Sequence, residues 1–282
     1  LENNLQKNND DAAVPPAPTI TVMSYGGGTN STAMLIGLHE RGERPDYCTF
    51  ADTGSEHEYT YRHMAAVNAW CESVGFPTIT VVKPTQPMMV SDGSLFNECV
   101  RLGRLPSKAY GNGSCSLKWK VEPQNRWNRR LAETLGVELA QIVRLVGYDA
   151  DELPRYERAM ALADKQPTKL RFPLIEWDWG REECVEAIAR AGLPHPGKSS
   201  CVMCPSMKKH EILALRRDYP ETFAAVLEME RRAMAGEGQA PQSRSGLGRT
   251  FSWGEFIARS DAELCLFSDA GVPEMDCGCY DG

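Results

Sequence analysis

A strand, a glycine turn and a helix start follow one another without interruption at 21–32, TVMSYGGGTNST. That succession makes a phosphate cradle. Consecutive glycines at Gly26, Gly27 and Gly28 let the backbone turn sharply and bring its N–H groups close to an anion. A helix beginning at Ser31 or Thr32 points its positive dipole end the same way. The context is the one such a loop requires: Ile20 and Val22 form an apolar β-type run before it, and Ala33, Met34, Leu35 and Leu38 an amphipathic helix after it. The plainer alternative is an ordinary left-handed turn between a strand and a helix.

Further along, Asp46–Ala51 is a second β-type run that stops at Asp52-Thr53-Gly54, and a helical stretch follows from about Glu58 to Gly75. Thr78–Val82 and Gln141–Val146 read as further strands, and 119–135 and 180–191 as helices. Residues 84–114 are rich in Pro, Gly, Ser and Asn and read as a long irregular excursion, which compact domains rarely tolerate without use. β-Branched runs alternating with helical patterns predict a parallel, twisted sheet flanked by helices in an α/β three-layer sandwich. Ligands of such sheets sit beyond the C-terminal strand ends, where the glycine turn and Asp52-Thr53-Gly54 both fall. From 205 the pattern changes. A charged helical segment at 207–235 breaks near Pro220, and 251–282 lacks clear periodicity. The expected organisation is a disordered leader at 1–18, an α/β nucleotide-binding domain at 19–200, and a cysteine-bearing helical and irregular extension at 201–282.

A formal charge of -7 argues against wholesale electrostatic binding of nucleic acid, although a local basic surface is compatible with it. No apolar run approaches a membrane span, and no basic-then-apolar signal pattern stands at the start. Ten cysteines in such a chain point to reduced thiols, metal ligands or redox chemistry in a cytoplasmic setting. Cys201-Val202-Met203-Cys204 is the strongest of these signals, because the turn between two such thiols brings both sulfurs to one side of a metal centre. Redox pairs share the spacing. Cys115 is a third candidate ligand, and Cys277 and Cys279 offer a further ligand or a reactive thiol. Cys48, Cys71, Cys184 and Cys265 read as packed small hydrophobes, and Cys99 is undecided. Structural zinc is the main rival to iron for the pair. Asp52 also suits capping of the next helix, Lys118 and Lys120 suit phosphate or plain solvation, and His57 and His63 are not expected as acid or base.

Several segments together resemble the PAPS-reductase and ATP-pyrophosphatase (PP-loop) superfamily, of the adenine nucleotide alpha-hydrolase-like fold. Tyr25–Ser31 is similar to its phosphate loop, with Gly26 for the usual serine and Asn30 for the usual aspartate. Asp52-Thr53-Gly54 with Thr60 resembles its second nucleotide motif. CSLKWKVEP at 115–123 resembles the Cys-Cys-x-x-x-Lys-x-x-Pro segment of cluster-bearing sulfonucleotide reductases, with Ser116 for the second cysteine. Gly147, Glu152 and Arg155 fit a Gly-x-x-x-x-Glu-x-x-Arg stretch, Pro173–Trp177 a Pro-Leu-x-x-Trp, and Ser200–Cys204 the second cysteine pair. Asp276-Cys277-Gly278 is similar to the catalytic tail, though the family's following histidine is replaced.

The resemblance implies an adenine nucleotide, ATP or adenylyl sulfate, held by Ser24, Gly26, Gly27, Gly28, Thr29, Asn30, Ser31, Asp52, Thr53, Gly54, Gly147 and Arg155. It implies a 4Fe–4S cluster on Cys115, Cys201 and Cys204, its fourth corner open or closed by Cys277 or Cys279. Asn30 removes one contact for Mg2+. Two chemistries follow. In the first and preferred one, Cys277 attacks the sulfur of adenylyl sulfate and a thioredoxin-like donor releases sulfite. In the second, ATP activates an oxygen of a nucleic acid, a tRNA base or the DNA backbone, and sulfur arrives through the open iron. A reading of another class is a non-catalytic nucleotide- or nucleic-acid-binding module.

Overall fold

The computed structural model describes residues 19–84, 93–111, 113–237 and 245–269, with side chains described as far as 262. The expected leader and the Cys277–Cys279 tail lie outside these residues.

Five parallel strands form one sheet in the order β3-β2-β1-β4-β5: β1 Ile20–Tyr25, β2 Tyr47–Ala51, β3 Ile79–Val82, β4 Ile142–Val146 and β5 Lys169–Arg171. The helices are α1 Thr29–Glu40, α2 Glu58–Ser73, α3 Leu95–Leu102, α4 Ser114–Ser116, α5 Glu122–Leu135, α6 Leu153–Met160, α7 Pro173–Glu176, α8 Arg181–Arg190, α9 Lys209–Asp218, α10 Pro220–Ala235 and α11 Trp253–Asp269. Strand order reverses between β1 and β4, so the crevice beyond their C-terminal ends is the switch point at which such sheets bind ligands.

The period-two alternation of β1 separates the layers. Met23 and Tyr25 face one side with Cys48, Phe50 and Leu145, covered by α1, α2 and α8. Val22 and Ile142 face the other, covered by Ala132, Trp127 and Leu131 of α5. Helix α1 is apolar nearly all round because it lies between sheet and α8: Ala33, Met34 and Leu35 are all 0 % exposed. Burial of each of the larger two contributes roughly 1.5–3 kcal/mol. Gly37 completes the fit, since a Cβ there would lie 2.3 Å from the Trp177 ring.

A second core joins Leu95, Cys99, Leu105 and Trp119 to Met203, Ile212, Val226 and Trp253. The excursion expected to be irregular therefore contains a packed helix. Ser94 caps α3 by accepting from Asn97 N at 3.2 Å, and Gly103 ends it in the left-handed region. The buried Glu98 carboxylate ties it to Arg104 and Lys118, each at 2.5 Å. The helix expected from 119 also differs. Residues 114–135 run continuously through a widened π turn, Leu117–Val121. Pro123 has no N–H to return to Trp119, and the wider turn absorbs the lost bond. Short elements β5, α6 and α7, and the longer α11, are absent from the pattern-based reading. They are held by tertiary packing, as with Phe172 and Leu174 near β5 and Trp253 at the head of α11.

Candidate functional site

The glycine turn sits at the switch point and is open. Gly26 is exposed and Gly28 half-buried, while Gly27 beneath them has φ +77° and packs against Thr60 and Phe50. Helix α1 begins at Thr29, two residues earlier than the sequence suggests, because Gly28 in extended geometry takes the cap position. Its first ladder bond is Thr32 N to Gly28 O at 3.1 Å. The N–H groups of Thr29, Asn30 and Ser31 lie ahead of that ladder and face an anion-sized need for acceptors. A Cβ on Gly27 would stand 2.7 Å from Thr60 Cγ2. We expect Gly27→Ala to cost about 2 kcal/mol, combining left-handed strain with that clash, and to weaken nucleotide binding. Thermal melts with and without ATP check both effects.

A cleft of about 1160 Å³ opens over this turn. Ser24, Gly26, Gly28, Thr29, Asn30, Ser31, Gly147 and Arg155, all expected from the sequence, line it. Gly147 is a glycine because a Cβ would press within 3.3 Å of the Asn30 and Ser31 backbone. Asn30 donates from Nδ2 to Glu152 Oε2 at 3.1 Å and accepts from Arg181 at 3.2 Å. An aspartate could not make the first of these bonds to a carboxylate. Beside them Asp149 is buried with Oδ1 unpartnered, and burial followed by the Glu152 charge raises its carboxyl above the ordinary value.

Asp52, Thr53 and Gly54 stand apart from this lining. Asp52 closes its own turn onto Gly54 N at 2.8 Å, accepts from Tyr61 at 2.7 Å and pairs with Lys83 at 3.1 Å. Gly54 has φ +63° and packs on Gly93 and Ser94. Thr53 faces the cysteines: its Oγ1 lies 3.3 Å from Cys201 Sγ and donates to Glu56 Oε1 at 3.1 Å.

The segment 195–204 joins the two halves of the site. His195 and Ser199 line the cleft, and the Ser199 hydroxyl donates to Gly26 O. Two residues on, Glu56 and Cys201 form an antiparallel bridge, with His57 N bonded to Ser200 O and Val202 N to Ser55 O. Cys204 N returns to Cys201 O at 3.0 Å, the tight turn expected of the pair. Cys115, Cys201 and Cys204 are half-buried against the second core. Among the described residues, no three His, Cys, Asp or Glu donors converge as on a single ion. Cys48, Cys71 and Cys184 are buried, as expected of packed thiols, and Cys99 is buried too. Cys277 and Cys279 lie outside the described residues.

Lys120, in the widened turn after Cys115, touches both halves. It lines the cleft with Ser116 and pairs with the buried Glu56 at 2.8 Å. Burial alone would lower its ammonium, but Glu56 and the thiols of Cys201 and Cys204 outweigh burial and hold it above the ordinary value. Burial and then Glu56 push the Cys201 thiol well up, against the pull of Lys120 and Thr53. A thiol in that position loses its proton readily only to a bound metal cation.

Three further lining residues carry chemistry that the sequence reading passed over. Arg144 is a guanidinium in the middle of the apolar run IVRLV, and that interruption is its sequence signal. Arg181 and Lys208 carry no comparable signal, being charged residues at ordinary helix starts. Despite the acidic chain, the cleft presents Lys120, Arg144, Arg155, Arg181, Lys198 and Lys208 against Glu152 and Glu211.

No helix among the described residues is long and apolar enough to cross a membrane. No family model matches the chain, and no curated protein matches it. Among solved structures, the chain is similar to the U34-tRNA thiolase NcsA from Methanococcus maripaludis with its 4Fe-4S cluster. The two are 18% identical, with a TM-score of 0.41, over 76% of this chain and 73% of that one.

Proposed function

We propose that this protein is an adenine-nucleotide-dependent sulfurtransferase whose acceptor is a nucleic acid, with an iron–sulfur centre on Cys115, Cys201 and Cys204. One observation supports the reading: Ser116 and Ser199, which line the cationic cleft over the glycine turn, are close chain neighbours of Cys115 and Cys201, and Lys120 of that cleft pairs with Glu56 beside Cys201. Three thiols beside the second core suit an iron–sulfur cluster, with structural zinc as the rival ion. Ser116, where the reductases have a second cysteine, leaves a hydroxyl rather than a thiol on the cleft wall. When bound, such a cluster would supply the sulfur that replaces the acceptor oxygen.

The chain's own residues do the rest. N–H groups of the glycine turn and of Thr29–Ser31 hold the nucleotide phosphates. The acceptor oxygen attacks the α-phosphate, pyrophosphate leaves, and the resulting adenylyl ester loses AMP when sulfur takes its place. Glu152, beside Asn30 on the cleft wall, supplies the carboxylate that Mg2+ needs in addition to phosphate oxygens and water. This answers the objection raised by Asn30 and favours ATP over adenylyl sulfate as the nucleotide. The cationic lining of an open cleft accommodates a phosphodiester strand.

The test uses anaerobically prepared full-length protein, assayed for iron and for binding of ATP, adenylyl sulfate and its 3′-phosphorylated form. Bulk tRNA and DNA are then incubated with ATP and a sulfide source and digested for mass spectrometry. Preference for ATP, stoichiometric iron and a sulfur-for-oxygen mass change support the reading. Preference for a sulfated nucleotide with sulfite release returns the protein to the reductases, and nucleotide binding without turnover makes it a binding module.

A further inference from the structure

Arg144 projects from β4 on the α5 side of the sheet, in register opposite Val22 of β1. It donates to Gln124 Oε1 at 3.1 Å, to Asn125 Oδ1 at 3.3 Å and to Ser24 Oγ at 3.4 Å. Every one of these acceptors is neutral. Its Nε is enclosed with no acceptor among the described residues, and no carboxylate stands within ion-pair distance there. Desolvation lowers its guanidinium below the ordinary value, with only the Tyr148 hydroxyl acting in the other direction.

A buried cation of this kind is costly, because neutral dipoles replace only part of its lost hydration. Lys120, by contrast, is compensated by the buried Glu56. Arg144 is also held in place: Gln124 accepts from both Arg144 and Ser24, fixing the planar fork across the cleft wall. Ser24, Gln124 and Arg144 line the cleft together, between the glycine turn and the Ser116–Lys120 turn. A fixed guanidinium with no counter-charge among the described residues and an uncommitted Nη1 hydrogen is placed to meet an oxyanion at the cleft wall.

We propose that Arg144, positioned by Ser24 and Gln124, is a second oxyanion-binding residue of the cleft, separate from the glycine turn and specific for a phosphate or sulfate group. The inference rests on the cleft being the substrate site proposed above. The oxyanion has two sources: the end of the nucleotide's own phosphate chain, or a phosphodiester of the acceptor strand.

Arg144→Met and Arg144→Lys, compared with the wild type, separate a binding role from a structural one. Removal of an uncompensated cation should leave the melting temperature of ligand-free Arg144→Met unchanged or higher, while affinity falls roughly 10- to 100-fold. Arg144→Lys keeps the charge and loses the fork, so it should recover only part of that affinity. Titrations with ATP and with a short single-stranded RNA form the two arms. A loss in the ATP arm assigns the residue to the nucleotide, and a loss confined to the RNA arm assigns it to the acceptor. Unchanged affinity in both arms, or a lowered melting temperature with binding intact, overturns the inference. Protein that binds either probe through Arg144 yet carries no iron keeps this inference and removes the sulfurtransferase reading.

Discussion

Cys201→Ser protein, prepared without oxygen, is expected to fold and to lose most of its iron. Among the candidate ligands, Cys201 is the one most enclosed by polar groups: Thr53 at 3.3 Å, Glu56 at 3.7 Å and Lys120 paired to that same carboxylate. Serine keeps the hydrogen-bonding shape but cannot supply a soft thiolate. Loss of outer partners of a metal ligand already costs 10- to 100-fold in affinity, so loss of the ligand should cost roughly 100-fold or more, and thiolation with it. Iron content, visible absorbance and low-temperature magnetic resonance read the centre directly. ATP binding should survive, since Cys201 contacts the glycine turn only through Ser199 and Ser200. A variant that retains full iron would remove Cys201 from the ligand set, and a zinc-containing wild type would replace the cluster with a structural ion.

Glu230→Ala should produce the largest loss of stability. This carboxylate on α10 is 2 % exposed and accepts from Leu247 N at 2.6 Å, Trp253 N and Gly254 N at 2.9 Å, and Ser252 Oγ at 3.0 Å. It is the anion at the N-terminal end of α11, and it also anchors the 245–252 loop. Gly246 lies so close that a Cβ would meet Glu230 Oε1 at 2.7 Å and Ser252 Cα at 2.5 Å. Truncation leaves several buried N–H groups without acceptors, at a cost of roughly 3–5 kcal/mol. In a chain of this size that lowers the melting temperature by about 10 °C. Glu230→Gln keeps one acceptor oxygen and should lose about half as much. Urea and thermal unfolding measure the change, and limited proteolysis should show early cleavage within 245–262. If both variants melt with the wild type, the second core does not depend on this clasp.

Elements with a strong repeating pattern were legible in advance. The alternation in β1 and the apolar stretch of α1 need only local chemistry plus one buried face, and both formed where expected, apart from the two-residue shift at Gly28. Cys48, Cys71 and Cys184 were readable as packed thiols for the same reason. Helix α3 was missed because a Pro-, Gly- and Ser-rich surround masked its cap at Ser94 and its stop at Gly103. Asp52 shows another limit. Its motif marks the end of β2, yet the carboxylate is spent on Gly54, Tyr61 and Lys83 rather than on the cleft. A motif states which residues stand together in the chain, not where their side chains are consumed.

By itself the sequence determined the sheet, the glycine turn at its switch point and the tight turn of the cysteine pair, because hydrophobic period, left-handed glycine geometry and cysteine spacing are all local properties. Tertiary structure alone decided that Ser199 joins the cradle to Cys201, that Glu56 and Lys120 pair beside the thiols, and that Arg144 stands without a counter-charge among the described residues. Those outcomes depend on residues far apart in the chain sharing one low-dielectric wall. The energy of a buried charge is set by whatever neighbours folding brings to it, and no local pattern encodes that.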